Sequence, residues 1–319
     1  METLRKINVR NMGNYLNIIS VIILVGLFTA INPNFLNAAN MKNMFMDISP
    51  LLVMSAGVTF VLLIGSVDLS IGAICSCACV MTGMWIPVMG NWVIPVVILF
   101  GLFAGALNGL IFTKLKITSF IVTLCTMSIW QCVALLISQG APRGIPINMW
   151  IYIQWAKISF GIMPILFVIS LVVWGVFYFI QVKTVFGKTI YAVGANERAA
   201  NLVGLDLLKA KIFTFMLSGT GAALGGMIFS LKLKASIPTI GNPYTLMTLA
   251  AVVLGGTALT GGKGSVIKTI IGVMLVIIIQ NGLNVVAVDA FWQQIVFGML
   301  IIFAVYLNVD KSGRDVIIK

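Results

Sequence analysis

The chain has 319 residues, of which 60% are hydrophobic and only 9% are charged, and its formal net charge is +12. A soluble domain needs about 25% charged residues for its surface, so this composition excludes a soluble domain and indicates an integral membrane protein. A positive charge can indicate a nucleic-acid partner, but the sequence has no basic cluster with interleaved aromatic residues. The positive-inside rule, which keeps Lys and Arg in cytosolic loops, explains the charge better.

Ten apolar segments predict membrane-spanning helices, because runs such as 162–181 are continuous, whereas the strands of membrane barrels alternate over about ten residues. The first segment is predicted to be a retained helix and not a cleaved signal peptide, since no clear small-residue cleavage site ends it. The expected fold class is an all-α integral membrane protein with about ten transmembrane helices, some short or broken, in a single domain over residues 1–319. In chain order the segments lie at 16–31, 48–65, 70–89, 93–112, 119–138, 162–181, 212–231, 246–259, 265–284 and 291–308.

The positive residues also predict which ends of these helices face the cytosol. If the N-terminus is inside, ten crossings place the C-terminus inside too. Most Lys and Arg residues then fall on the cytosolic side, and the outer side receives Lys42, Arg143, Lys157, Lys232 and Lys234. This asymmetry has the direction that the positive-inside rule requires, and it predicts an N-in/C-in, multi-pass protein.

Asp68 is the one acidic residue set within a long apolar stretch, in the sequence GSVDLSIG (65–72). A carboxylate at the bilayer centre costs about 2.5–3.5 kcal/mol on insertion scales. Two interpretations stay open: Asp68 lies at a translocation path or subunit contact, or it caps the helix that follows, together with Ser70. The spacing favours the cap.

Neutral polar residues within the apolar segments form a second set of candidates. A path for an uncharged polar solute needs amides and hydroxyls facing inward, but the same side chains also join helices to one another. Gly101, Gly105 and Gly109 repeat at four-residue spacing and predict a close helix crossing. The candidates for a translocation path or a helix contact, besides Asp68, are Asn108, Thr123, Thr126, Gln131, Asn281, Asn284 and Gln293.

A polar stretch, AVGANERAANLVG (192–204), interrupts the apolar sequence within the longest predicted cytosolic loop, residues 182–211. The residues Glu197 to Ala200 favour a helix, and Gly204 is typical of a helix end. A short helix with one acid and several small residues suits binding in a groove of another protein. A simple solvated loop is the alternative.

The sequence lacks the groups that catalysis or metal binding needs. It contains no histidine, and its five cysteines lie in two apolar segments without a neighbouring acid, so no metal site and no cofactor are predicted. The sequence GGTALTGGKGS (255–265) is not a phosphate-binding loop, because Thr257 stands where that motif needs its first glycine and Gly264 where it needs Ser or Thr. The chain is therefore expected to be neither an ATPase nor another enzyme, and 255–265 is expected to form a tight turn.

Five segments, in order along the chain, resemble the ABC importer permeases of the ribose, galactose, arabinose and xylose type. The resemblance implies a non-catalytic permease subunit of an ATP-driven sugar importer in the bacterial cytoplasmic membrane, working by alternating access. It implies three partners: a cytosolic sugar-type ABC ATPase, an extracytoplasmic solute-binding protein, and a second permease, identical or homologous. The segments are LLIGSVDLSIG (62–72), LNGLIFTKLKITSFIVTLCTM (107–127), AVGANERAANLVGLDLLKAKI (192–212), LAAVVLGGTALTGGKGS (249–265) and NGLNVVAVDAFWQQIVFGM (281–299).

The resemblance assigns ATPase coupling to the pattern E-x-A-A-x-x-x-G. In this chain the pattern falls on Glu197, Arg198, Ala199, Ala200 and Gly204. A stand-alone secondary carrier or channel for a small polar solute is the alternative function, although it would need a driving-ion site in a chain with few embedded acids.

The chain departs from the family pattern just before AAVVLGG. The family usually has Tyr-Glu-Leu-Asp-Ala-Ile there, whereas this chain has Thr245 and Met247 in place of the two acids. The departure leaves open what those acids do, whether docking the binding protein or shaping the outer mouth. It also raises a heterodimer of permeases as an alternative to a homodimer, and the sequence does not identify the solute.

Overall fold

The computed structural model describes residues 19–308, and the fold below refers to that part of the chain. It is almost entirely helical, with two small antiparallel strand pairs, β1 (Arg143–Gly144) with β4 (Ala235–Ser236) and β2 (Ser159–Phe160) with β3 (Met163–Pro164). The helices are α1 (Ile19–Ile31), α2 (Ala38–Leu63), α3 (Ile71–Met89), α4 (Val93–Lys114), α5 (Ser119–Ser138), α6 (Ile165–Lys183), α7 (Val185–Ala195), α8 (Glu197–Leu202), α9 (Leu207–Leu233), α10 (Asn242–Leu254), α11 (Val266–Val285) and α12 (Ala290–Asn308).

Each of the ten predicted segments overlaps one of these helices, which confirms an all-α, multi-pass membrane protein. Within the described residues, six helical segments are long and apolar enough to cross a membrane. One of them is a run of 44 residues that joins α3 and α4 through a 3₁₀ turn at Gly90–Trp92, and α1 and α10 are shorter apolar helices. The number of crossings stays a prediction. So does the side of the two termini, which lie outside the described residues.

Several helix boundaries predicted from hydropathy were wrong, among them the end of α10, which lies at Leu254 and not at 259. Helix α2 begins at Ala38 and not near 48, because the side chain of Asn37 caps its first turn and several polar residues in that turn lower the local hydropathy. Helix α9 begins at Leu207 and not at 212, since Asp206 caps it. The predicted loop 182–211 is therefore mostly helical, and α7 and α8 occupy it.

Helices α2 and α9 form the centre of the structure. In their most apolar windows, 89% of the residues of α2 and 78% of those of α9 are buried inside the protein. Helix α9 packs against α2, α3 and α4, while the faces of α4, α5 and α6 that point outward stay apolar. This arrangement is typical of a bundle whose outer ring faces lipid.

The crossing of α4 and α9 confirms the close approach predicted from the glycine spacing. A Cβ atom at Gly105 would lie 2.1 Å from the carbonyl oxygen of Phe215, and one at Gly101 would lie 2.6 Å from that of Gly219. A Cβ atom at Gly109 would likewise lie 2.7 Å from the Cα of Ile212. Only glycine allows the two backbones to come this close.

We expect Gly105→Ala to lower the free energy of unfolding by about 1–3 kcal/mol, because the added methyl group meets rigid backbone in a packed interface. Gly175→Ala, in α6, is the matched control, since a Cβ atom there meets nothing within 4 Å. Thermal unfolding of both variants in the same detergent measures the difference. Equal melting temperatures for the two variants would contradict the close crossing.

Candidate functional site

The polar stretch of the sequence folds into a helical corner, residues 184–211, in which each helix begins at a side-chain cap. The hydroxyl of Thr184 accepts a hydrogen bond from a backbone N–H in the first turn of α7, at 3.1 Å. Asn196 does the same for α8 at 3.1 Å, and Asp206 for α9 at 3.0 Å. Gly204, with a φ of +81°, ends the turn after α8 in the left-handed region that favours glycine. The corner is therefore a capped helical structure and not a solvated loop.

An ion pair attaches α8 to α9 within this corner. Oε1 of Glu197 lies 2.5 Å from Nζ of Lys211, and both side chains are mostly buried. The Lys211 ammonium also lies 4.9 Å from the ring centroid of Phe112 on α4. Ala200 is buried, whereas Arg198 faces solvent. Of the predicted coupling residues, Glu197 and Ala200 thus hold α8 in place and Arg198 is available to a partner.

The outward side of α8 carries an apolar tip that the sequence analysis missed. Leu202 and Val203 are 87% and 75% exposed. A groove of about 600 Å³ lies beside the tip, between α7 and the start of α9, and includes the exposed Val185 in its lining. Exposed apolar side chains that adjoin an apolar groove are typical of a protein–protein contact.

The inner side of the corner packs directly on the transmembrane core. A Cβ atom at Gly194 would lie 1.9 Å from the carbonyl oxygen of Leu63, the last residue of α2. The same carbonyl accepts a hydrogen bond of 2.8 Å from the backbone N–H of Gly262. The segment 255–265 is the tight turn that its glycines predicted, with positive φ at Gly262 among others. The corner, the end of α2 and the turn between α10 and α11 therefore meet at one point.

Tyr191 adds a hydrogen bond to this junction. Its hydroxyl donates to the carbonyl oxygen of Gly264 at 2.6 Å. Burial raises the pKa of the Tyr191 phenol above its ordinary value. The phenol therefore stays protonated at neutral pH and can donate.

We expect Tyr191→Phe to lower the free energy of unfolding by about 0.5–1.5 kcal/mol, the usual net value of one hydrogen bond. Tyr178→Phe is the control, since its hydroxyl has no hydrogen bond to any residue that the structure describes, and its ring stacks on Trp174 in either form. Differential scanning fluorimetry of the two variants tests this. If both variants have the same melting temperature as the parent chain, the Tyr191 hydroxyl does not stabilise the junction.

Asp68 bonds to Ser70 at the start of α3, as the favoured interpretation from the sequence expected, and it also contacts α9. The N-cap of α3 is Ser70, and it makes no side-chain cap bond. Oδ1 of Asp68 accepts hydrogen bonds from the backbone N–H and the hydroxyl of Ser70, at 3.0 and 2.6 Å. Its Oδ2 accepts one from the hydroxyl of Ser218 on α9 at 2.7 Å, and Asn108 on α4 donates to the Ser70 hydroxyl at 2.8 Å. The carboxylate is fully buried, and it ties the segment before α3 to α9 and, through Ser70, to α4.

The remaining candidates on α5 form two hydrogen bonds within the helix and one with a distant segment. Thr123 donates to the carbonyl oxygen of Ser119 at 2.8 Å, and Thr126 donates to that of Thr123 at 3.3 Å. Gln131 donates to the carbonyl oxygen of Pro238 at 2.9 Å. Asp68, Asn108 and Thr123 lie around the segment between α2 and α3, whereas Gln131 does not join them.

Asn281, Asn284 and Gln293 lie at the opposite end of the bundle from the corner. Asn281 and Asn40 exchange two amide hydrogen bonds, of 2.7 and 2.9 Å, between α11 and α2. Gln293 donates to Oδ1 of Asn284 at 2.7 Å. The structure thus separates the predicted translocation residues into distinct groups.

A polar pocket of about 360 Å³ opens beside Asn281 and Asn284, between the first turns of α2 and the last turns of α9 and α11. Lys232 and Asp47 form an ion pair within its lining. Hydropathy predicted a loop up to residue 47, so the first turns of α2 were not recognised as helix. Asn40, Asn43 and Asp47 were therefore not identified as candidate residues. The full lining is Asn40, Asn43, Asp47, Lys232, Asn281, Asn284 and Val285.

Residues 40–305 match the model of a family described as branched-chain amino acid transport system / permease component. The chain belongs to this permease family. It is 35% identical to the ribose import permease protein RbsC of Haemophilus influenzae over 306 residues, which cover 92% of this chain and 93% of that protein. It is 33% identical to RbsC of Bacillus subtilis, over 95% and 94% of the two chains. It is also 33% identical to the L-arabinose transport system permease protein AraH of Escherichia coli, over 88% and 85%. No solved structure matches it significantly.

These relatives confirm the family resemblance that the five sequence segments carry, and they indicate a transport subunit. The two positions that lack the family acids are interior positions. Thr245 and Met247 are both buried, and Thr245 packs against Gly72 at the crossing of α10 and α3. Neither side chain forms part of a docking surface in this structure.

Proposed function

We propose that this chain is the membrane-embedded permease subunit of an ATP-driven ABC importer for a sugar or sugar-like solute. The observation that carries the proposal is the helical corner, because it combines the coupling pattern with a capped, ion-paired structure and an exposed apolar tip. The names of the relatives, import permeases for ribose and L-arabinose, support a sugar as the class of solute.

The proposed topology has ten crossings in the bacterial cytoplasmic membrane, with both termini in the cytosol and a single permease domain over residues 1–319. The corner and the turn at 255–265 then face the cytosol, and the pocket beside Asn281 faces outward. The distribution of Lys and Arg supports this orientation.

The proposed mechanism is alternating access driven through the corner. A cytosolic ABC ATPase of the sugar type binds α8 and its apolar tip, and closure of the ATPase on ATP moves the corner as one body. The contacts of Gly194 with Leu63 and Gly262 then pass the movement to the end of α2 and to the turn between α10 and α11. Because packed backbone has little room to yield, we expect the movement to reach these elements.

The proposed assembly contains two permeases, one or two ATPases and an extracytoplasmic binding protein that delivers the solute. The second permease is either another copy or a homologue. The absence of the two family acids at 245 and 247 is the reason to consider a homologue.

Mass spectrometry of the complex purified from its native membrane in mild detergent tests the proposal. We expect a tandem-domain ATPase in stoichiometric amount, and a second, different permease if the assembly is a heterodimer. If the chain repeatedly purifies alone and transports a solute in liposomes under an ion gradient, it is a secondary carrier and the proposal is wrong.

A further inference from the structure

The pocket between the ends of α2, α9 and α11 has the chemistry of a solute site and not only of a helix contact. Several of its polar groups are already paired: Asn40 with Asn281, and Lys232 with Asp47. Others have no hydrogen bond to any residue that the structure describes. Among these are the amide of Asn43, which points from the exposed side of α2, and the second carboxylate oxygen of Asp47.

The available groups include both donors and acceptors. The Asn43 amide offers one acceptor and two donor hydrogens, the free Asp47 oxygen accepts, and Lys232 retains donors beyond its ion pair. A hydroxyl both donates and accepts, so a solute with several hydroxyl groups can satisfy all of them. The volume of about 360 Å³ lies at the small end of the range of ligand pockets, roughly 300–1,000 Å³.

The charges of the lining favour a neutral solute. One carboxylate and one ammonium lie within the pocket and neutralise each other. An anion would have to compete with Asp47 for Lys232, and a cation would have to compete with Lys232 for Asp47. An uncharged solute leaves the ion pair intact.

We propose that this pocket binds a small, neutral, polyhydroxylated solute directly on the permease. It is then a binding site for the transported solute at the outer end of the helix bundle. The identity of the solute as cargo rests on the proposed function, whereas the pocket and its chemistry do not. Binding there joins the ends of α2, α9 and α11, and α2 is the helix whose other end contacts the helical corner. The pocket therefore lies on a helix that the ATPase is proposed to move.

Saturation-transfer NMR on the full-length chain in lipid nanodiscs, without ATPase or binding protein, tests the pocket. The probes are D-ribose, L-arabinose and D-galactose in separate samples, with cyclohexanol as a comparator that has only one hydroxyl group. The variants are Asn43→Ala and Asn34→Ala. Both remove an exposed asparagine amide near the start of α2, but Asn34 does not line the pocket.

We expect at least one sugar to show binding that Asn43→Ala weakens about three- to tenfold, the usual effect of losing one or two hydrogen bonds, and that Asn34→Ala leaves unchanged. We expect Asp47→Asn to weaken sugar binding similarly and to create binding of ribose 5-phosphate, because Lys232 then loses its counter-charge. No sugar signal from the parent chain, or equal signals from the Asn43 and Asn34 variants, overturns the proposal.

The outcome is independent of the test of the proposed function. If no sugar binds in the pocket but the ATPase co-purifies, the chain is an importer permease whose solute site lies elsewhere. If sugar binds through Asn43 but the chain purifies alone, the proposal of a solute site is supported and the proposed importer function is wrong.

Discussion

Replacing Glu197 by lysine is expected to reduce ATP-driven uptake at least about tenfold while the protein still inserts and purifies. The Glu197 carboxylate lies 2.5 Å from the Lys211 ammonium, so the variant places two positive charges where a pair of opposite charges stood. Two unit charges about 4 Å apart interact by about 4 kcal/mol at an effective dielectric constant near 20. The repulsion separates α8 from α9, and the corner can no longer move as one body.

The double variant Glu197→Lys/Lys211→Glu tests whether the ion pair itself is what matters. It restores opposite charges in reversed order, and we expect it to recover the melting temperature and a substantial part of the uptake. The measurement is uptake of radiolabelled sugar into proteoliposomes that contain the complete complex and ATP.

Asp206→Asn is the control for a general effect of removing an acid from the corner. Its side chain can still cap α9, and it loses only a solvent-exposed ion pair with Lys209, which contributes little. We expect unchanged uptake in this variant. Normal ATP-driven uptake in Glu197→Lys would show that the pair has no part in coupling.

The sequence predicted most helices because a membrane imposes a simple rule on them. A span must be apolar over most of its length, and hydropathy detects this directly. The rule fails where part of a helix is polar, which is why the first turns of α2, with Asn40, Asn43 and Asp47, were assigned to a loop. Caps such as Asn37 mark these boundaries more reliably than hydropathy does, because they act on the backbone.

The candidate site was less predictable, since its contacts join distant parts of the chain. The pattern around Glu197 located α8, but its ion-pair partner Lys211 follows 14 positions later, within a segment predicted to be a loop. Asn281 was identified as a polar residue in an apolar segment, whereas its partner Asn40 lies 241 positions away. A single sequence shows which polar residues need a partner and does not show which partner each one has.

The buried carboxylate of Asp68 supports the second large prediction. Asp68→Ala is expected to lower the free energy of unfolding by several kcal/mol. Three donors, the N–H and hydroxyl of Ser70 and the hydroxyl of Ser218, lose their acceptor in the interior. Each buried donor left without an acceptor costs about 1–3 kcal/mol. Ser218→Ala removes only one of the three bonds and is expected to cost less.

Asp68→Asn separates a packing role from a chemical one. The asparagine oxygen can keep the two hydrogen bonds from Ser70, and its amide can donate to the Ser218 hydroxyl, which accepts as readily as it donates. We therefore expect this variant to unfold within a few degrees of the parent chain and to retain ATP-driven uptake. A variant that folds normally but does not transport would show that the ionisable carboxyl takes part in translocation. Retained uptake in Asp68→Asn together with unfolding of Asp68→Ala establishes Asp68 as the polar contact that holds α9 to the segment before α3.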